Sequence, residues 1–119
     1  MPTKYQTGMQ AQQLAESHLT DNGYRILERN YRIRTGEVDI IARHGNYVVF
    51  VEVKFRRSVD FGYPRESVGV VKQQRIIRTA MHYIAARNID DMDFRFDVIE
   101  VLAQGDAVQI NHIENAFDA

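Results

Sequence analysis

The chain has 119 residues, 45% of them hydrophobic and 26% charged, with a formal net charge of −1. This is the composition of a globular fold, and one domain over residues 1–119 is expected; a disordered tail, a fibre and a low-complexity linker are excluded. The chain has no cysteine, which removes disulfide frameworks, thiol catalysis and Cys-based zinc sites. No apolar run approaches the ~20 residues of a membrane helix, and the start Met1-Pro2-Thr3-Lys4 lacks the apolar stretch of a secretory leader. A cytoplasmic protein without a membrane partner is the expectation.

The first predicted element is a helix from Thr7 to Asn22. Ala11, Leu14, Ala15, His18 and Leu19 share one face, Thr7 and Gln10 can form a capping box, and Gly23 suits the end. Tyr24 to Ile33 reads as a strand and Arg34-Thr35-Gly36 as a turn. Val38–His44 and Tyr47–Phe55 flank Gly45-Asn46, the strongest hairpin signal in the chain. Arg56 to Glu66, with Phe61, Gly62, Tyr63 and Pro64, reads as a loop. A helix is predicted over Ser67–Arg87, with Val70, Ile77, Ala80, Met81, Ile84 and Ala85 as its apolar stripe and Lys72, Arg75 and Arg78 as a basic one. Phe94–Leu102 is a strand. A second hairpin at Gly105-Asp106 leads to a last strand over Val108–Ile113. The order helix, three strands, helix, two strands predicts an α/β fold.

Charge is unevenly divided. Residues 1–87 hold 14 Lys and Arg against 8 Asp and Glu, whereas residues 88–119 hold 1 against 8. A basic face of that kind suits a phosphate backbone, and solvated surface is the plainer account. Arg56, Arg57, Lys72 and Arg75 are the candidate phosphate contacts. The four histidines show no metal-ligand spacing. Asp97, alternating with Phe96 and Val98, is expected to face solvent or pair with an arginine.

A two-residue loop fixes strand register. It sets Ile40 opposite Val51, Asp39 opposite Glu52 and Glu37 opposite Lys54. Val38, Ile40, Ala42, Val49, Val51 and Val53 then share a core-like face, with Asp39, Glu52, Glu37 and Lys54 on the other. Carboxylates directly opposite lie ~5 Å apart and repel, so a positive charge is needed there. Lys54 lies ~6.7 Å from Glu52 along the same face. A divalent cation is the other candidate, and an all-oxygen donor set suits Mg²⁺ or Mn²⁺. A metal and a lysine beside a basic surface form an apparatus for phosphodiester hydrolysis. An ordinary charge network, Glu37 with Lys54 and Asp39 with an arginine, is the other reading of these residues.

Gly36-Glu37-Val38-Asp39-Ile40-Ile41 followed by Phe50-Val51-Glu52-Val53-Lys54 resembles the YraN-like family of uncharacterised bacterial proteins. So do Gly23–Leu27, Arg29–Arg32, Lys72–Ile76, Arg95–Val98 and Ile113–Phe117, in order along nearly the whole chain. That family resembles the PD-(D/E)xK nucleases and, among them, the archaeal Holliday-junction resolvases. The resemblance implies a restriction-endonuclease-like mixed five-stranded sheet of order α-β-β-β-α-β-β. It implies Asp39, Glu52 and Lys54 as catalytic residues, Mg²⁺ or Mn²⁺ on Asp39, Glu52 and the Val53 carbonyl, DNA as partner, and a homodimer. The chain departs from the pattern at Gln12, which stands where such proteins carry a helix acid. Gln12 offers a neutral oxygen, and Glu37 is a second accessory candidate. A non-catalytic nucleic-acid-binding module and an interaction adaptor docking through acidic residues 88–119 are the alternatives to an endonuclease.

Overall fold

The computed structural model describes residues 4–57 and 68–119, and for residues 4–7 the backbone alone. Among these residues the elements run α1 (Lys4–Asp21), β1 (Arg25–Ile33), β2 (Gly36–His44), β3 (Tyr47–Arg57), α2 (Val70–Ala86), β4 (Asp93–Gln104) and β5 (Ala107–Phe117). Arg56 and Arg57, expected to open the Arg56–Glu66 loop, instead extend β3, and the rest of that loop, with Phe61 and Tyr63, lies outside the described residues.

The five strands form one sheet in chain order. β3 and β4 are parallel and every other neighbouring pair is antiparallel. A parallel pair needs a crossover, and α2 supplies it. The helices therefore cover opposite faces. Ala11, Ala15 and Leu19 of α1 pack with Ile40, Val49, Val51 and Ile99. Ile76, Ala80 and Tyr83 of α2 pack with Val38, Ile41, Phe50 and Phe96. Strands covered on both sides read as continuous apolar runs, and Val48-Val49-Phe50-Val51 is fully buried.

Several local expectations shift. Thr7 lies inside α1, which begins at Lys4. Leu14 is 42% exposed, because the narrow α1 stripe steps by four through Ala11, Ala15 and Leu19. Gly23 ends the helix with a positive φ of 85°, and the Tyr24 N–H closes back on the Leu19 carbonyl at 2.9 Å. On α2 the buried residues are Ile76, Thr79, Ala80 and Tyr83. Val70 and Met81, expected in the stripe, are 67% and 53% exposed. The stripe is rotated because α2 rests directly on Gly36. A Cβ there would lie 2.6 Å from Thr79 Oγ1 and 2.9 Å from the Arg75 carbonyl, so only glycine permits the approach.

The Gly45-Asn46 hairpin forms as expected, with His44 opposite Tyr47 and the ladder regular to Ile40 opposite Val51. Beyond that point the predicted register fails. Val38 belongs to the α2 face, whereas Ile40 and Ala42 belong to the α1 face, so β2 changes face at Asp39. β1 does the same beside it. Arg29 pairs with Glu16 of α1, Tyr31 packs on Tyr83 of α2, and the intervening Asn30 has a φ of 51°. Asparagine tolerates this left-handed conformation better than most residues. The paired distortion twists the sheet open at Asp39.

Candidate metal and phosphate site

Where the β2–β3 ladder opens, the Asp39 carboxylate replaces it. Asp39 Oδ2 accepts the Val53 N–H at 2.8 Å. Asp39 and Glu52 are therefore not ladder partners, yet their carboxyls meet, with Asp39 hydrogen-bonded to Glu52. Burial and the Glu52 charge push Asp39 up to about 7. The hydrogen bond to Glu52 and the Glu37 charge add to this, and the Val53 N–H works against it. Glu52 is 5% exposed, and its Oε2 lies 2.5 Å from Lys72 Nζ. Burial lowers the Lys72 pKa, but the hydrogen bond and charge of Glu52, with the charges of Asp39 and Glu37, outweigh it and raise the value.

These acids line an open groove of about 1120 Å³ between α2 and the start of β2. Exposed Arg32, Arg34, Arg75 and Arg78 line it with Lys72. Glu37 also lines it, and its Oε2 accepts from Arg32 at 2.8 and 3.2 Å. The Gly36 contact fixes this arrangement, since it clamps the Arg75–Thr79 turn of α2 beside Glu37. A smaller groove on the α1 side shares Asp39 and contains Gln12, Asn30, Val53 and Phe55.

The remaining candidates divide. Lys54 is half-buried, two residues beyond Glu52 and in register with Glu100 of β4; strand alternation places it on the Glu52 side. Val53 is held at the site by its N–H. Gln12 takes part in a reciprocal amide pair: its Nε2 donates to Asn30 Oδ1 at 3.0 Å, and Asn30 Nδ2 donates to its Oε1 at 3.2 Å. Its Nε2 also reaches the Asp39 carbonyl at 3.4 Å. Gln12 thus braces the twist, with its oxygen engaged by Asn30. Arg56 forms an ion pair with Glu100 at 2.8 Å, the two side chains 11% and 7% exposed. Neither Arg56 nor the exposed Arg57 is among the groove's lining residues.

A second charged centre lies on the α1 face and was missed as a unit. Asp97 is fully buried. Arg95 donates to both its oxygens at 2.9 and 2.8 Å. His112 Nε2 lies 2.7 Å from Oδ2, and the Asn115 N–H donates at 3.1 Å. Burial raises the Asp97 pKa, but the bonds from His112, Arg95 and Asn115 outweigh it and leave the value lowered. Arg95 also donates to the Tyr24 hydroxyl at 2.6 Å. His18 of α1 continues the chain, its Nε2 lying 3.1 Å from His112 Nδ1.

The profile of the uncharacterised protein family UPF0102 matches residues 11–101. The chain belongs to this family. It is the YraN-like family that the motifs resemble. Relatives are full-length matches: a UPF0102 protein of Syntrophotalea carbinolica is 45% identical over 111 residues, 93% of this chain and 90% of that one. One from Syntrophus aciditrophicus is 44% identical over 118 residues, 99% and 93% of the two chains. One from Alkaliphilus metalliredigens is 47% identical over 110 residues, 92% and 96%. None of these names carries an activity. Among the described residues of this UPF0102 protein no helix is long and apolar enough to cross a membrane. Nor does any group of three His, Cys, Asp or Glu among them converge to hold a metal. The oxygen donors that the structure brings together here are the carboxylates of Asp39 and Glu52. Hard oxygen donors fit Mg²⁺ or Mn²⁺, and Mg²⁺ characteristically keeps several waters on a site with one or two carboxylates.

Proposed function

We propose that this UPF0102 protein is a metal-dependent, nuclease-like phosphodiester hydrolase acting on DNA, on a restriction-endonuclease-like sheet. The observation that carries the reading is the meeting of Asp39 and Glu52 within a groove whose lining also includes four exposed arginines and Lys72. Like charges brought together out of water need a cation, and a phosphate backbone needs the arginines. Asp39, Glu52 and the Val53 carbonyl would hold Mg²⁺ or Mn²⁺, which when bound would polarise the phosphate and lower the pKa of its water. Lys54 orients the attacking water or offsets charge developing on the phosphate. Arg75 and Arg78 on α2 and Arg32 and Arg34 across the groove hold flanking phosphates. A homodimer and a cytoplasmic location are part of the same proposal.

The test is cleavage of junction, flap, single-stranded and duplex DNA with Mg²⁺ or Mn²⁺. Cleavage that falls at least about a hundredfold in Glu52→Ala supports the reading. Cleavage undiminished in that variant, or none on any substrate, refutes it.

A second reading, a DNA-binding module without catalysis, is favoured by one observation: Gln12 supplies no charge and its oxygen is engaged by Asn30. It predicts salt-sensitive DNA binding with no Mn²⁺ uptake. Calorimetry of Mn²⁺ with the wild type and Asp39→Ala separates the two.

A further inference from the structure

We propose that the Lys72 ammonium is the resident counter-ion of the Asp39–Glu52 pair and competes with a divalent cation for it, so that the site binds metal more tightly when Lys72 leaves Glu52. The inference rests on the metal-site reading above and adds a built-in competitor to it.

The position of Lys72 is the first support. It is the third residue of α2, and that helix has no acidic residue in its first turn and no side-chain cap. A cation at a helix N-terminus faces the positive end of the dipole and is disfavoured there. Helix formation therefore gives no reason for a lysine at this place, whereas the contact with Glu52 does.

The geometry is the second. Lys72 Nζ takes Glu52 Oε2 at 2.5 Å. A magnesium ion would approach such an oxygen to about 2.1 Å. Two cations on one carboxylate would lie only a few ångströms apart with strong mutual repulsion, so each weakens the binding of the other.

The third is mobility of the right part. The Lys72 side chain is 58% exposed, against 5% for Glu52. The carboxylate is fixed in the sheet and the amine hangs on a flexible stem. The backbone of α2 is held to the sheet by the packing of Ile76, Ala80 and Tyr83 on Val38, Ile41 and Phe50. Exchange is then a rotamer change of one side chain.

The experiment is calorimetric titration of Mn²⁺ into the full chain at fixed pH and salt, with wild type, Lys72→Met, Lys72→Gln and Asp39→Ala. Circular dichroism verifies folding, and the Gln variant retains a donor toward Glu52 should the Met variant unfold. Removing the competing charge should tighten Mn²⁺ about tenfold in the neutral variants, and Mn²⁺ should raise their Tm more than that of the wild type. Equal affinity in wild type and Lys72 variants, with binding lost in Asp39→Ala, overturns the competition while leaving the metal site standing. Weaker binding in the Lys72 variants also overturns it, making Lys72 a support of the site. Absence of Mn²⁺ binding in every protein removes the metal site and the competition together.

Discussion

Asp39, half-buried on β2, and Asp97, fully buried on β4, are carboxylates on opposite sides of β3, and the fold treats them in opposite ways. Asp97 receives a two-pronged arginine, an imidazole and a backbone N–H, and is held ionised. Asp39 receives one backbone N–H and faces another carboxyl, and is pushed to about 7. A carboxylate whose acceptor sites are filled by donors belongs to the framework. One that is short of donors and opens into a groove is poised for a ligand. The difference marks where chemistry is to be sought, although the Asp97 cluster, with two histidines and a tyrosine, is the richer in catalytic residue types.

The largest effect should come from Asp97→Ala. It leaves the buried Arg95 with only the exposed Glu114 carboxylate, 3.9 Å away, and breaking such a buried pair costs roughly 3–5 kcal/mol. Urea unfolding measures this, and a loss below about 1 kcal/mol would place Asp97 with Asp39 as a group the fold does not depend on. Asp39→Asn should act in the other direction. Below pH 4 the wild-type Asp39 is protonated in both folded and unfolded chains. As pH rises from about 4 to about 7 the unfolded chain ionises first, so stability falls; above about 7 both are ionised and the loss levels off. Asparagine keeps an acceptor for the Val53 N–H and carries no charge. It should therefore add about 2–4 kcal/mol at pH 8 and flatten the slope between pH 4 and 7. A Gly36→Ala change should be smaller, about 1–3 kcal/mol, from the contact with Thr79 and Arg75. By moving α2 it should disturb the Lys72–Glu52 contact and leave the Asp97 network intact, which NMR shifts of His112 against those of Lys72 would report.

The element order, both hairpins and the regular part of the β2–β3 register were legible, because Gly45-Asn46 and Gly105-Asp106 are strong local signals. The acidic pair was found, but for a reason that holds only in part. Asp39 and Glu52 were placed together by continuing a ladder that ends one residue earlier, at Ile40 and Val51. The change of face at Asn30 and Asp39 depends on a left-handed asparagine, for which an asparagine amid a strand pattern is the only clue. The sequence pattern marks Lys72 only as a phosphate contact, because a helical stripe carries no information about the opposite sheet face. On α2 the adjacent pair Ile76-Ile77 left the stripe ambiguous by one residue, which the Gly36 contact resolves. The Asp97 cluster draws on α1, Tyr24, β4 and β5, elements distant along the chain; the nearest hint was Arg95 two residues before Asp97 on the same strand face.

The parallel pairing of β3 with β4 has a consequence for synthesis. α1, β1, β2 and β3, which carry every acid of the groove, leave the ribosome before α2 and β4 exist. Until β4 docks, β3 is a bare apolar edge with one face uncovered, a state prone to self-association. Truncated products should thus aggregate, and the Lys72–Glu52 contact forms only once α2 has been made.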